Sequence, residues 1–428
     1  MIEHRKEWAP WVTPRALRAA PIHRWYTFPH SFTHQLVDAL SAEWGLGASD
    51  LLLDPFVGAG TTVLAARSRG IPAVGHDLSP LAVFVSRVKS SNHRPEDAQR
   101  AWERLLPRLH SANWTEPRGR YPALVTRALP PKILGAFEGI SSSIARMRCA
   151  DSTKQLFQLA LLATIPDFSH AVATGGWLSW MHHRRAREGL IPALQARIRA
   201  ILDDLKSVPH RHTEDCTVSC ADARRLPEGD STITAVITSP PYPNRHDYTR
   251  VFGVELMFGF LDWEQTRDLR RQSFHSHPES RPDRPESSEY ERPPQLVKLL
   301  RRLTTAGVDE KIVGMIDGYF LDIFLCLREL KRVCTPSAPI ALVLGNARYA
   351  GIPVVVDELT GSIGEQAGLR CERIRAVRFR GNSAQQMGAY GRTPSRESVI
   401  IFRNTKVAGS RCGRPAAAPR RFLPRTGA

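Results

Sequence analysis

Acidic residues are in short supply: the 428-residue chain carries 42 Asp and Glu against 59 Lys and Arg, a formal net charge of +17. Such a balance disfavours basic partners and favours polyanions, through phosphate neutralisation and counterion release. Nucleic acid is the first partner to consider and a membrane surface the second, while an Arg-rich coding bias is the bland explanation. The excess is regional. Residues 403–428 hold seven Lys or Arg and no acid, and residues 90–213 hold 18 against 10. Cysteine is also sparse, seven in all, and only Cys216 and Cys220 are closely spaced. With no paired CxxC framework, neither a zinc site nor a disulfide scaffold is expected, and a reducing compartment fits. No apolar run approaches the length of a membrane span, and Met1-Ile2-Glu3-His4-Arg5-Lys6 opens the chain with polar residues. No membrane partner is expected, and a cytoplasmic location is. The 42% hydrophobic content is ample for a sizeable core.

What is present reads as alternating strands and helices. The short apolar run at 51–53 closes on Asp54, a Gly-containing turn follows, and Thr61-Thr62-Val63-Leu64-Ala65-Ala66 starts a helix. A second strand ends at Asp77, and Ser79-Pro80 caps the next helix. This βαβ succession implies a parallel sheet with buried strands. Residues 96–212 have mainly helical spacing and read as an insertion. Strands resume at Thr217–Asp222 and Ile233–Thr238. A long mobile loop is expected at about 265–305, a helix over Tyr319–Val333, a buried strand over Pro339–Gly345, a helix over Val354–Gln366 and a strand over Ser398–Phe402. The composition of 405–428 suggests a disordered basic tail.

The turn Asp54-Pro55-Phe56-Val57-Gly58-Ala59-Gly60-Thr61-Thr62 lets backbone approach a ligand closely, because Gly58 and Gly60 carry no β-carbon. The third glycine of a dinucleotide fingerprint is missing, since Val63 stands there, which argues against a pyrophosphate. Asp77 lies at the offset where a second-strand acid receives ribose hydroxyls. S-adenosylmethionine has such hydroxyls and no phosphate. Asp222, at the end of the third strand, is assigned to the adenine amino group, with a helix cap as the plain alternative; a purely structural turn is the alternative for the glycines.

Ser239-Pro240-Pro241-Tyr242 follows a mid-sheet strand, at the strand end where open α/β sheets bind ligands. Consecutive prolines fix φ and hold the Pro240 carbonyl in place. A nucleobase amine is a poor nucleophile because its lone pair is delocalised into the ring. Accepting its hydrogens at the Ser239 hydroxyl and the Pro240 carbonyl draws the nitrogen toward tetrahedral geometry and frees that pair. Tyr242 offers a face on which an extruded base can stack. The bland reading is a proline-stiffened loop.

These two motifs resemble those of the DNA amino-methyltransferases, which act on cytosine N4 or adenine N6. Ser239-Pro240-Pro241-Tyr242 looks like the serine form more usual for cytosine N4. His23-Arg24-Trp25-Tyr26-Thr27-Phe28-Pro29 is similar to the segment that closes over the methionine end of the cofactor. The resemblance covers residues 20–95 and 213–403. It implies a Rossmann-like class I methyltransferase fold, α/β with a mostly parallel sheet and a helical insertion. It further implies S-adenosylmethionine as cofactor and DNA as partner; whether a cognate restriction endonuclease exists stays open, as does the oligomeric state. Cofactor-binding residues would be Tyr26, Phe28, Asp54, Pro55, Phe56, Gly58, Gly60, Thr61, Asp77 and Asp222; the catalytic turn would be Ser239, Pro240, Pro241 and Tyr242. The expected activity is methylation of cytosine N4 in DNA. Adenine N6 or an RNA amine stays open, as does a non-catalytic nucleic-acid-binding protein with this fold. The motif order, cofactor turn first, leaves two candidates for target recognition. One is the insertion, including Trp177-Leu178-Ser179-Trp180-Met181-His182-His183-Arg184-Arg185, and the other is the loop after Asp262. That Trp/His/Arg cluster reads equally as the edge of a helical core.

Overall fold

Eight strands form one sheet, and their order fixes where a ligand must bind. A computed structural model describes residues 2–181, 189–208, 216–284, 288–380 and 394–405. The sheet strands are β1 (Ile2–His4), β2 (Leu52–Asp54), β3 (Ala73–Asp77), β6 (Cys216–Cys220), β7 (Ala235–Thr238), β8 (Pro339–Gly345), β11 (Leu369–Arg380) and β12 (Ser395–Asn404). Two hairpins stand apart, β4 (Ala171–Thr174) with β5 (Trp177–Trp180), and β9 (Ala347–Tyr349) with β10 (Ile352–Val354). Sheet order is β1-β11-β12-β8-β7-β2-β3-β6. The five strands from β8 to β6 are parallel, whereas β12 runs antiparallel between β8 and β11. From the β2–β7 pair the chain winds outward in opposite directions, so a crevice opens there at the strand carboxyl ends.

The central strands β2, β7 and β8 form where the sequence is apolar on both sides. Along β8, Ile340, Leu342 and Leu344 enter one core, and Ala341 and Val343 the other. The first core packs under α12 (Pro294–Thr305), α13 (Glu310–Val333) and α14 (Val356–Gln366). The second packs under α1 (His34–Trp44) and α2 (Thr61–Ser68). After β3 comes α3 (Pro80–Ser90), capped by the Ser79 hydroxyl, which accepts from the Ala82 amide at 3.4 Å.

Between α3 and β6 the chain builds α4 (Pro95–Ser111), α5 (Ala123–Ala128), α6 (Pro131–Ala145), α7 (Asp151–Phe168) and α8 (Leu190–Ser207). Their core is continuous with Trp25, Tyr26, Phe28 and Ala59, so the insertion is built onto the cofactor turn. The insertion is not wholly helical. Gly175-Gly176 makes a two-residue turn with Gly175 at φ +61°, and the flanking residues pair as the β4–β5 hairpin. His182–Arg185 of the tryptophan cluster lie outside the described residues, as does the basic tail from residue 406.

The segment expected as a loop over 265–305 is helical at both ends. After α9 (Tyr248–Val251) and α10 (Gly253–Gly259), α11 spans Trp263–Gln272, opened by a reciprocal cap between Asp262 and Gln265. At the far end, Pro294 supplies the first residue of α12, which buries Leu296, Leu299 and Leu303 on one face. Polar composition concealed both helices. Among the described residues no helix is long and apolar enough to cross a membrane.

Candidate active site

The two turns singled out in the sequence leave adjacent strands. Asp54, buried at the end of β2, accepts from the Thr238 hydroxyl at 2.6 Å, and Thr238 ends β7 immediately before Ser239. Asp54 also accepts from the Phe56 amide at 3.1 Å. Burial pushes its carboxyl up to about 6, against the pull of those hydrogen bonds.

Around the first turn the glycines are required. Gly60 has φ +85°, and a β-carbon there would lie 3.0 Å from Ser86 Oγ. Gly58 has φ +48°, and Phe28 Cδ2 lies 3.6 Å from where its β-carbon would be. Ser86 donates to the Gly58 carbonyl at 2.8 Å. The Gly58 amide donates at 3.1 Å to Asp77, which also accepts from the Ser79 amide at 2.9 Å. Asp77 is partly buried and its carboxyl is likewise pushed up to about 6 by desolvation. Pro55 is buried, and Phe56 meets Phe274 edge-on at 5.5 Å. The Thr61 hydroxyl lies 3.2 Å from that of Ser31.

The segment 22–28 is strapped over this turn by two buried charges that sequence reasoning missed. Lys89 of α3 donates to the carbonyls of His23 (3.0 Å), Tyr26 and Ala59 (3.1 Å). Asp204 of α8 accepts from the Ile22 amide (2.9 Å), the Arg24 guanidinium (2.6 Å) and the Trp25 indole (2.9 Å). Tyr26 and Phe28 are thereby buried against Phe252, Phe28 at 4.4 Å between ring centres, and the Tyr26 hydroxyl reaches Glu255 at 3.4 Å. Partners that are mostly backbone groups far along the chain leave no pattern in sequence. The one available signal was a lysine and an aspartate on otherwise apolar helix faces.

Asp222 follows the end of β6 at Cys220. Both its oxygens accept from Arg224, at 2.7 and 2.9 Å, and Arg224 is buried against Asp322 at 3.0 Å and stacks on Phe274. Its Oδ1 also accepts from the Arg224 amide at 2.9 Å, so the carboxylate is fixed in orientation.

At the second turn, the Ser239 hydroxyl donates to the Val343 carbonyl at 3.1 Å. Ser239, Pro240 and Tyr242 line a cavity of about 930 Å³, together with Arg15, Arg18, His30, Asn244, Tyr248 and Arg378. Pro241, Gly58 and Gly60 are not on its wall; Phe28 lies over Gly58. The Tyr242 hydroxyl reaches Glu397 of β12 at 3.3 Å.

The turn suits a nucleoside ligand without phosphate. Asp77 offers acceptors to ribose hydroxyls, which are donors, and the nearby buried ammonium of Lys89 is committed to carbonyls. Sheet order, glycine turn and second-strand acid fit a Rossmann-like methyltransferase fold and S-adenosylmethionine as its cofactor. The relatives narrow this. The chain is 28% identical over 446 residues to the type II methyltransferase M.BsoBI of Geobacillus stearothermophilus, covering 91% of this chain and 87% of the relative. It is 27% identical to the type II methyltransferase M.AvaI of a Nostoc strain, over 92% of this chain and 88% of that one. A third relative, M.MjaII of Methanocaldococcus jannaschii, is 31% identical over 94 residues, 22% of this chain and 17% of its own. No family model matches. Over most of its length the chain is thus similar to type II methyltransferases.

Proposed function

We propose that this chain methylates the exocyclic N4 of cytosine in DNA, at a base extruded into the cavity beside Tyr242. The observation that carries the reading is the Ser239 hydrogen bond to Val343, which commits the hydroxyl proton to the sheet and leaves the oxygen an acceptor in the cavity wall. One amine hydrogen goes to that oxygen and the other to the Pro240 carbonyl, which localises the nitrogen lone pair. Tyr242 stacks on the ring. When bound, S-adenosylmethionine supplies an electrophilic methyl group whose leaving sulfur departs neutral, so no strong general base is needed. Asp77 receives the ribose hydroxyls, Asp222 the adenine amine, and Tyr26, Phe28, Asp54, Pro55, Phe56, Gly58, Gly60 and Thr61 shape the remaining cradle. The proton left on the product amine passes to solvent through the open cavity. A cognate restriction endonuclease recognising the same site is the partner this role implies.

The test is incubation of the protein with isotope-labelled S-adenosylmethionine and duplex DNA, then nucleoside digestion and mass spectrometry. Label is expected in N4-methylcytosine, with Ser239→Ala slower by about a hundredfold, in the range for removing one preorganised hydrogen-bonding group at a reacting centre. Label in N6-methyladenine would move the reading to adenine, and label only from RNA would overturn it.

A further inference from the structure

Five large hydrophobic side chains are exposed among the described residues, and two of them, Trp177 (56% exposed) and Met181 (46%), bracket β5. Burial alternates along that strand: Leu178 and Trp180 face the insertion core, while Trp177 and Ser179 face outward. The register is fixed, so the outward ring is not a misplaced core residue. Burying it would have been favourable, and the fold leaves it out.

The hairpin is also seated at the reaction site. A β-carbon on Gly176 would lie 3.0 Å from the Arg245 carbonyl oxygen and 3.2 Å from His246 Cα, so the hairpin tip rests on backbone only a few residues beyond Tyr242. His246 in turn meets His30 at 4.2 Å and Tyr248 at 4.7 Å, and both line the 930 Å³ cavity. On the hairpin's inner side a second cavity of about 210 Å³ is lined by Ala171, Val172, Ala173 and Leu178. It shares Pro14, Arg18 and Pro29 with the large one. The guanidinium of Arg250 lies 4.7 Å from the Trp177 ring centre and is anchored by Asp247 at 3.1 Å and Glu279 at 2.7 Å. A braced indole with a fixed cation on one face, on a hairpin whose tip rests beside the turn that lines the large cavity, has the form of a stacking platform.

We propose that the β4–β5 hairpin is a DNA-engaging element and that Trp177 stacks on a nucleobase next to the extruded one. This rests on the reading that the cavity receives a base from duplex DNA. Extrusion unstacks the neighbours, and an aromatic face at the rim recovers part of that loss. The contact is with a base and not a phosphate, so it contributes to affinity without changing the number of counterions released.

The test measures duplex binding directly, by fluorescence anisotropy of a labelled 40-base-pair fragment chosen because the wild-type protein binds it most tightly. Trp177→Ala is expected to weaken binding about 5- to 150-fold, the range for loss of one base-aromatic stack. Trp177→Phe should stay within about threefold of wild type, since it keeps a ring. The slope of log affinity against log salt should be unchanged, and calorimetric affinity for S-adenosylmethionine should be equal in all three proteins. Wild-type duplex affinity in Trp177→Ala would overturn the proposal, as would a parallel loss of cofactor affinity, which would make Trp177 a structural residue. The readout is independent of methyl transfer. Weakened duplex binding in a protein that forms no N4-methylcytosine would sink the activity and leave the hairpin standing.

Discussion

The two turns at the β2–β7 crevice are built to opposite specifications. The first is fixed from several directions: Ser86 holds the Gly58 carbonyl, Asp77 its amide, Lys89 the Ala59 carbonyl, and Phe28 covers it. The second, one strand away, faces a cavity of about 930 Å³, with Ser239 tied to Val343 and Tyr242 reaching Glu397. A small cofactor of constant shape rewards preorganisation, because little ordering remains to be done on binding. A base arriving on a polymer needs room, so the second turn faces open space while two prolines, the Ser239 hydroxyl and the Tyr349 hydroxyl on the Pro243 carbonyl hold its backbone.

If that contrast is right, a single β-carbon should do most damage at the tight turn. Alanine at Gly60 must adopt φ +85° and sit 3.0 Å from Ser86 Oγ. The left-handed conformation alone costs about 1–2 kcal/mol, and with the close contact cofactor affinity should fall about a hundredfold by calorimetry. A threefold change or less would mean that the turn does not cradle the cofactor. At the open turn the expected losses are smaller and fall on the other substrate. Tyr242→Ala should reduce kcat/KM for DNA about tenfold through lost stacking. Tyr242→Phe should change little, since it keeps the ring and the hydroxyl's bond to Glu397 is a long one at 3.3 Å. Equal losses in both would give the hydroxyl the role here assigned to the ring.

Much of this contrast was legible in the chain. β2, β3, β7 and β8 are short apolar runs closed by an acid or a turn, and Ser79-Pro80 announces α3 with its cap. What stayed hidden depends on distant partners. β11 alternates arginines with apolar residues and is recognisable only beside β12; its Arg375, 1% exposed, pairs with Glu43 from the opposite end of the chain. Lys89 is buried and binds three backbone carbonyls, a chemistry any residue could supply, and Asp204 is buried against the Ile22 amide and the distant Arg24 and Trp25 side chains. The β4–β5 hairpin was the avoidable omission. Gly175-Gly176 between alternating residues is a hairpin signal, and its helical surroundings outweighed it.

The tight turn should also respond to acid in a way the open one does not. Burial raises the Asp54 and Asp77 carboxyls from 3.8 to about 6. Between those values the folded chain binds more protons than the unfolded one, so the stability these groups contribute is present below about pH 4 and lost as pH rises through 6. With Asp77 in the proposed ribose role, cofactor binding follows the opposite sign, because the hydroxyls need its ionised form as acceptor. Affinity should be level above pH 7 and fall by up to about tenfold per unit below 6, with Asp77→Asn weaker and flat. A wild-type profile level down to pH 5 would remove Asp77 from the ribose site.

The smallest effect belongs to the tail. Residues 406–428 carry six Lys or Arg and no acid, and lie outside the described residues, so their charge is the only basis for a role. Charge without a fixed partner gives attraction to phosphate and no sequence readout. Removing 406–428 should weaken duplex binding severalfold at 50 mM salt, with the gap closing as salt rises, because each lost phosphate contact lowers the salt slope by about 0.9. The methylated sequence, read by long-read sequencing of DNA from expressing cells, should be the same with and without the tail. A changed sequence would move target reading from the cavity rim to the terminus, and the contrast between a fixed cofactor turn and an open base turn would then omit the part that selects the site.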